Sequence, residues 1–325
     1  MSSLPDKTPL ASLHLPGTHE TMAYWGGPIS CCQTYTLSLM KQLVGGIRMI
    51  DIRLALKDKK LKVYHGIQNE YAQAEDVVNT VEAFLEMYPT ETLVVSIKQE
   101  NAATNFEATV WRLLDRRKEM WYRENRWPLL GEVRGRAIVF CRFGFESQQG
   151  LHPVSWPDNA PAPFATDIGG QECLIQDWYN IGGFIKIPEK AALVLSLFQR
   201  GAGQRTSRSI STLDKPNRSD SDVASGMKIN FASGATLLTG FPVIVAKGLG
   251  FSLFGFPGVN ERVTDGLVRM LAEGSIELDP HGGMALMLDF WEFPDGLAEL
   301  LISLNFLACR RLHGHLSDDT LAQIP

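Results

Sequence analysis

Apolar positions along the chain fall into short, nearly unbroken runs separated by stretches with a longer repeat. GIRMIDIRLAL, TLVVSIKQE, AIVFCRF, ECLIQDWYN, KINFAS and MALMLDFW are such runs, rich in Val, Ile and Leu, as strands buried on both faces require. Between them the apolar residues return at helical spacing. Val77, Val78, Val81, Phe84 and Leu85 make one stripe, closed by Pro89. Pro188 opens a second, with Leu193, Val194, Leu197 and Phe198. Val263, Leu267, Val268 and Leu271 make a third, ended by Gly274, and a last stripe runs from about Leu297 to Leu307. Strand alternating with helix predicts an α/β protein, either a barrel or an open doubly wound sheet. No GxGxxG follows the first strand and no GxxxxGK[ST] occurs, so the nucleotide-binding forms lose support. Residues 201–222 are rich in Ser, Arg and Asp and read as a surface loop.

Length and composition narrow this. The 325 residues, 45% of them apolar, suffice for a full core and fit one large α/β barrel over residues 1–325 or two medium domains. A net charge of −5 argues against nucleic acid as a partner and against a polybasic membrane clamp. The N-terminus shows no secretory pattern, and the apolar segments are too short or too broken to span a bilayer. Five cysteines without an export signal suggest reduced thiols. The expectation is a cytoplasmic protein, peripheral to membranes, with Cys31 and Cys32 as buried free thiols.

Polar residues gather where the strands end. His19 follows LPGT; Asp51 and Arg53 alternate in one strand and so share a face; His65 ends KVYHG; Lys98 and Glu100 share a face; Arg142, Asp177, Tyr179 and Asp289 close later strands. In a parallel barrel such ends meet in one mouth. Two imidazoles with carboxylates and an arginine suit phosphodiester cleavage: one His accepts a proton from a hydroxyl, another donates one to the leaving oxygen, and the guanidinium grips phosphate. Taken singly, each has a plainer reading. A lone His is more often structural, and Asp51 with Arg53 could be an ordinary ion pair. His152, His281, His313 and His315 lack such a setting. Co-occurrence at successive strand ends favours chemistry.

These residues resemble a known family. LPGTHETM, MKQLVGGIRMIDIRLAL, VYHG and YPTETLVVSIKQE look like the X-domain signature of phosphatidylinositol-specific phospholipase C, and RGRAIVFCRF, SWPDN, IQDWYN, INFASG and MLDFW follow in the order of its bacterial-type members, over about residues 8–308. The resemblance implies a single distorted TIM barrel and cleavage of an inositol phospholipid to diacylglycerol and inositol 1,2-cyclic phosphate. It implies His19 as general base with Asp289 orienting it, His65 as general acid, and Arg53 on the phosphate, with Asp51 helping to place both the base and Arg53. It also implies Lys98, Arg142 and Asp177 on inositol hydroxyls and Tyr179 stacked on the ring. Calcium-dependent relatives carry a carboxylate where Arg53 stands, so neither metal nor cofactor is expected. One position departs: the family has Asp directly after the first His, in support of the acid, and here it is Glu20. One methylene more predicts a looser or re-aimed support for His65.

The run FPVIVAKGLGFSLFGFPG carries Leu249, Phe251, Leu253, Phe254 and Phe256 among glycines. With Tyr24 and Trp25 it is expected either at the rim, touching a membrane that holds the substrate, or packed over the barrel. Two other functions stay open on the residues: a metal-dependent glycerophosphodiesterase-like enzyme, against which Arg53 speaks, and a non-catalytic phosphoinositide-binding module, against which both histidines, Arg53 and Asp289 speak.

Overall fold

Strands β1 (His14–Thr18), β2 (Met49–Lys57), β3 (Lys60–His65), β4 (Gln68–Gln73), β5 (Leu93–Gln99), β6 (Trp121–Tyr122), β7 (Ala137–Arg142), β8 (Phe164–Ile168), β9 (Gln171–Gln176), β10 (Lys228–Phe231), β11 (Gly248–Leu249), β12 (Phe256–Pro257) and β13 (Met284–Leu288) alternate with helices, as the apolar pattern predicts. The structure is a computed structural model and describes residues 1–144, 148–199, 226–236, 240–250, 255–276 and 282–313. The loop expected at 201–222 and the rim residues Phe251, Leu253 and Phe254 lie outside the described residues.

The main sheet is a curled, distorted barrel in the order β6-β7-β5-β2-β1-β13-β10-β9-β8. Among the described residues its ladder does not close on itself. The seam between β7 and β8 is laced by the residues after Gly150. Leu151 bonds on both sides of Phe140, its N–H to the Val139 carbonyl and its carbonyl to the Cys141 N–H, each at 2.8 Å. Val154 N–H then reaches the Asp167 carbonyl in β8 at 3.0 Å.

Two-residue alternation sorts each parallel strand into an outer and an inner face. Ile50, Ile52, Val95, Ile97 and Val139 face helices, including Ala74–Met87, which buries Val77, Val81, Phe84 and Leu85. Burying each such side chain contributes about 1.5–3 kcal/mol. That helix starts at a reciprocal cap between Gln73 and Asp76. Leu15, Met49, Val94, Ile138, Phe140, Ile175, Ile229, Ala285 and Met287 fill the lumen instead. The lumen is tight at Gly17, where an added Cβ would stand 2.5 Å from Met287 Sδ. In the helix Val259–Ala272 the buried stripe is Val263, Leu267 and Met270, while Val268 is exposed. A spacing of four then three keeps one face, and Val268 falls off it.

Among the described residues, no helix is long and apolar enough to cross a membrane.

Candidate active site

The inner-facing series of each strand starts apolar and ends polar. Leu15–Gly17 leads to His19, Met49 to Asp51 and Arg53, Val94 to Ser96 and Lys98, Ile138–Phe140 to Arg142, Ile175 to Asp177, and Ala285–Met287 to Asp289. Two-residue steps carry each face from the core to the mouth, so the polar side chains converge there.

His19 stands at the centre. Its Nδ1–H donates to Asp289 Oδ1 at 2.8 Å, since a carboxylate only accepts. Its Nε2 accepts from Arg53 Nη2 at 2.9 Å. Burial works against the imidazolium, but the Asp289 carboxylate outweighs it, and His19 titrates above its ordinary value. Gln33 Nε2 fixes the turn from behind through the His19 and Leu288 carbonyls, at 2.8 and 2.9 Å.

Arg53 is the hub. Besides His19 it meets Glu20 Oε1 through Nη1 at 2.5 Å, Asp51 Oδ2 through Nε at 3.3 Å and Glu100 Oε1 at 3.7 Å. Burial disfavours its charge, yet Glu20 and Asp51 hold the guanidinium firmly protonated. Asp51 is 1% exposed. Burial would raise its carboxyl, but Arg53 and Arg142 drive it far below the usual range. Its other oxygen takes the Ser96 hydroxyl at 3.3 Å and faces Arg142 Nη1 at 3.7 Å.

Glu20 sits at φ +44 in the turn after β1, in the left-handed region that non-glycine residues seldom occupy. This bend sends both His19 and Glu20 into the mouth. The longer side chain is re-aimed: Oε1 is 2.5 Å from Arg53 and 3.5 Å from His65 Nε2. It holds Arg53 more tightly than His65. Burial pushes its carboxyl up, and Arg53 and His65 pull it back only in part.

His65 does not come from a parallel barrel strand. β3 runs antiparallel to β2 and brings His65 down beside Glu20. β1 has ended at Thr18, which leaves that edge of β2 free to take the hairpin. His65 Nδ1–H donates to the Ser30 carbonyl at 2.8 Å, with the Ser30 hydroxyl at 3.0 Å. Its Nε2 is left facing the site. His19, Arg53, Glu20 and His65 thus form one continuous chain of contacts.

The remaining candidates line the far wall. Lys98 Nζ meets Glu100 at 2.9 Å. Arg142 meets Asp177 at 3.7 Å. Burial and Arg53 lower the Arg142 pKa from its ordinary value, although Asp51 and Asp177 support the charge. Tyr179 lies outside this network: it is 38% exposed and its hydroxyl donates to Asp158 at 2.9 Å.

Sequence reasoning missed Trp156. It sits just beyond the lacing segment, lies under the Arg142 guanidinium at 4.1 Å and donates its indole N–H to Asp177 at 2.8 Å. Its motif SWPDN was visible, but no spacing linked it to a strand end. Ser30, in the short helix Gly27–Ser30, was missed too, because a backbone carbonyl leaves no residue-type signal. Trp25, 39% exposed, has ring contacts with Tyr35 at 4.8 Å and Tyr71 at 5.9 Å.

Such a site can move two protons around a bound phosphate. One imidazole offers a basic Nε2, another is anchored at Nδ1, and a guanidinium lies between them.

Residues 17–142 match the family model described as phosphatidylinositol-specific phospholipase C, X domain. A 1-phosphatidylinositol phosphodiesterase of Listeria monocytogenes is 38% identical over 192 residues, which cover 55% of this chain and 57% of that protein. One from Staphylococcus aureus is 25% identical over 200 residues, covering 55% of this chain and 64% of that protein. Each alignment thus spans less than two thirds of its relative. Among solved structures, phosphatidylinositol-specific phospholipase C from Listeria monocytogenes matches with a TM-score of 0.63 at 25% identity, covering 94% of this chain and 97% of that one. A Staphylococcus aureus phosphatidylinositol-specific phospholipase C, solved in work on modulation of its membrane binding, matches with a TM-score of 0.69 at 21% identity, covering 94% of this chain and 96% of that one. The distorted TIM-type barrel read from the motifs is the fold of these proteins.

Proposed function

We propose that this chain, whose residues 17–142 match the family model described as phosphatidylinositol-specific phospholipase C, X domain, cleaves an inositol phospholipid to diacylglycerol and inositol 1,2-cyclic phosphate, without a metal. His19 Nε2 takes the proton of the inositol 2-hydroxyl as that oxygen attacks phosphorus. The bond from phosphorus to the glycerol oxygen breaks, and His65 Nε2 supplies the proton that oxygen needs. One proton is taken and one given, so the step balances. Attack by a neighbouring hydroxyl is favoured because the nucleophile is already in place.

The carrying observation is the Arg53 guanidinium, 2.9 Å from His19 Nε2 and joined to His65 through Glu20. A phosphate oxygen that takes the Nη2 hydrogen draws it from His19 and frees Nε2 for the hydroxyl. Substrate binding thereby arms the base. Asp51 holds Arg53, Glu20 supports both Arg53 and His65, and Asp289 keeps Nδ1 protonated. Lys98, Arg142 and Asp177 bind inositol hydroxyls, and Tyr179 reaches over the ring. The substrate lies in a membrane surface met peripherally, with Tyr24 and Trp25 on the face that approaches it. The free thiols of Cys31, Cys32, Cys141 and Cys173 support a reducing, cytoplasmic setting.

The test is incubation with phosphatidylinositol vesicles and excess chelator, with detection of cyclic inositol phosphate. Turnover is expected, and His19→Ala and His65→Ala should each abolish it. Activity only with added metal would point instead to a glycerophosphodiesterase-like mechanism. Binding without turnover would point to a non-catalytic inositol phosphate module.

A further inference from the structure

Behind His19 lies a thiol that the proposed reaction does not use. A ring nitrogen of His19, the Cys32 Sγ and a carboxylate oxygen of Asp289 all lie within 4.8 Å of one another. The geometry points to an inhibitory site for a thiophilic divalent cation, Zn²⁺ or Cd²⁺, formed by His19, Cys32 and Asp289.

The donors are of the right kind. Zinc takes Cys sulfur at about 2.3 Å, His nitrogen at about 2.0–2.1 Å and carboxylate oxygen at about 2.0–2.2 Å, and three protein ligands leave a fourth position for water. Tetrahedral donors stand roughly 3.4–3.8 Å apart, so no pair here needs to close by more than about 1.4 Å. Two donors already touch, at 2.8 Å. The third is carried on backbone bonded to the second's neighbour: Phe290 N–H donates to the Cys32 carbonyl at 2.8 Å, and Cys32 N–H to the Ala23 carbonyl at 2.9 Å. The thiol has only a weak tie of its own, to the Ser30 carbonyl at 3.6 Å.

Charge fits as well. A thiolate and a carboxylate neutralise a divalent cation, which suits residues 1% exposed. The thiol proton leaves to solvent as the metal–sulfur bond forms. Arg53 meets His19 at Nε2 while Asp289 meets Nδ1, so the cation enters on the side away from Arg53. A cation between Asp289 and His19 takes Nδ1, the ring proton moves to Nε2, and the Arg53 Nη2–H, itself a donor, must turn away from it. That nitrogen can then no longer accept a proton, and the ring is held away from substrate. Hard cations such as Mg²⁺ and Ca²⁺ gain nothing from sulfur and should not compete.

The inhibitory effect rests on His19 being the base; the binding does not. The test therefore has two readouts on the full chain. In the first, Co²⁺ is titrated as a spectroscopic probe. A thiolate-to-cobalt charge-transfer band is expected in the wild type and in Cys31→Ala, and not in Cys32→Ala. In the second, phosphatidylinositol turnover is measured against Zn²⁺, with Mg²⁺ as control and chelator to reverse. Cys32→Ala should keep its basal rate and need more than about tenfold more Zn²⁺ for half inhibition. Should Cys32→Ala fail to fold, Cys32→Ser, which keeps the volume, is read in its place. Absence of the band in folded wild type, or equal Zn²⁺ sensitivity with and without the thiol, overturns the proposal. A band without any turnover leaves the site standing and sinks the proposed lyase reaction instead.

Discussion

Arg53→Lys keeps the positive charge and removes the fork. In the structure three guanidinium nitrogens serve three partners: Nη2 on His19 at 2.9 Å, Nη1 on Glu20 at 2.5 Å, and Nε on Asp51 at 3.3 Å. A single ammonium cannot keep Glu20 and Asp51 in place and also grip two phosphate oxygens. A hydrogen bond to a charged group is worth about 1.5–3 kcal/mol. Losing one in the transition state therefore costs about 10- to 150-fold at 1.4 kcal/mol per tenfold. Removing one donor from a site that stabilises developing charge costs about 10²–10³ in kcat. Both routes give a fall near about 100-fold, borne mainly by kcat. Stability should change little, because the two buried carboxylates keep a cation. Arg53→Ala, in contrast, strands them and should cost about 3–5 kcal/mol. The assay is diacylglycerol release from phosphatidylinositol at fixed pH with chelator, beside urea unfolding of both variants. A folded Arg53→Lys enzyme within about threefold of wild type would refute the view that a planar fork holds the phosphate.

Three more outcomes follow from the same geometry. Asp289→Asn leaves burial and Arg53 opposed only by Glu20, so His19 titrates lower: the acid-side limb of kcat/KM against pH should move to lower pH while the plateau falls by about 10²–10⁴. Because the raised His19 pKa contributes stability present at low pH and lost as pH rises through the folded value, urea midpoints should drop more near pH 5 than near pH 8. Trp156→Phe keeps a ring under Arg142 but removes the indole donor to Asp177; KM should rise up to about 10- to 100-fold with kcat less affected, and an unchanged KM would clear Trp156 of that role. Phe251→Ser with Phe254→Ser should weaken binding to phosphatidylinositol vesicles in a sedimentation assay and spare turnover of a monomeric soluble substrate; undiminished vesicle binding would show that these two side chains take no part in membrane contact.

The sequence disclosed the site where chain periodicity carries it. Asp51, Arg53, Lys98 and Arg142 sit on the inner face of strands whose apolar alternation is unmistakable, so their convergence could be read directly. His19, Asp177 and Asp289 fall one or two positions past such strands and were equally visible. β4, QNEYAQ, has no apolar run, and β8, FATDI, little more; both owe their strand form to pairing with β3 and β9. The antiparallel course of β3 was hidden for the same reason, since KVYHG alone does not say which neighbour it meets. Trp156 and Ser30 act through contacts with residues far off in sequence, Asp177 and His65. The direction in which Glu20 leans depended on a backbone bend that residue identity does not encode.

β2 and β3 are joined by just Asp58 and Lys59, both at positive φ, in a two-residue turn that fixes the hairpin register. One imidazole is thus built into the barrel wall, while its counterpart hangs from an appendage with its own alternation. Deleting a single residue between Val63 and His65 would swing that ring to the opposite side of the ribbon. The barrel, Arg53 and His19 would remain, and with them the proposed grip on phosphate. On the proposed mechanism, a single codon separates an enzyme that cuts its lipid from a protein that only holds it.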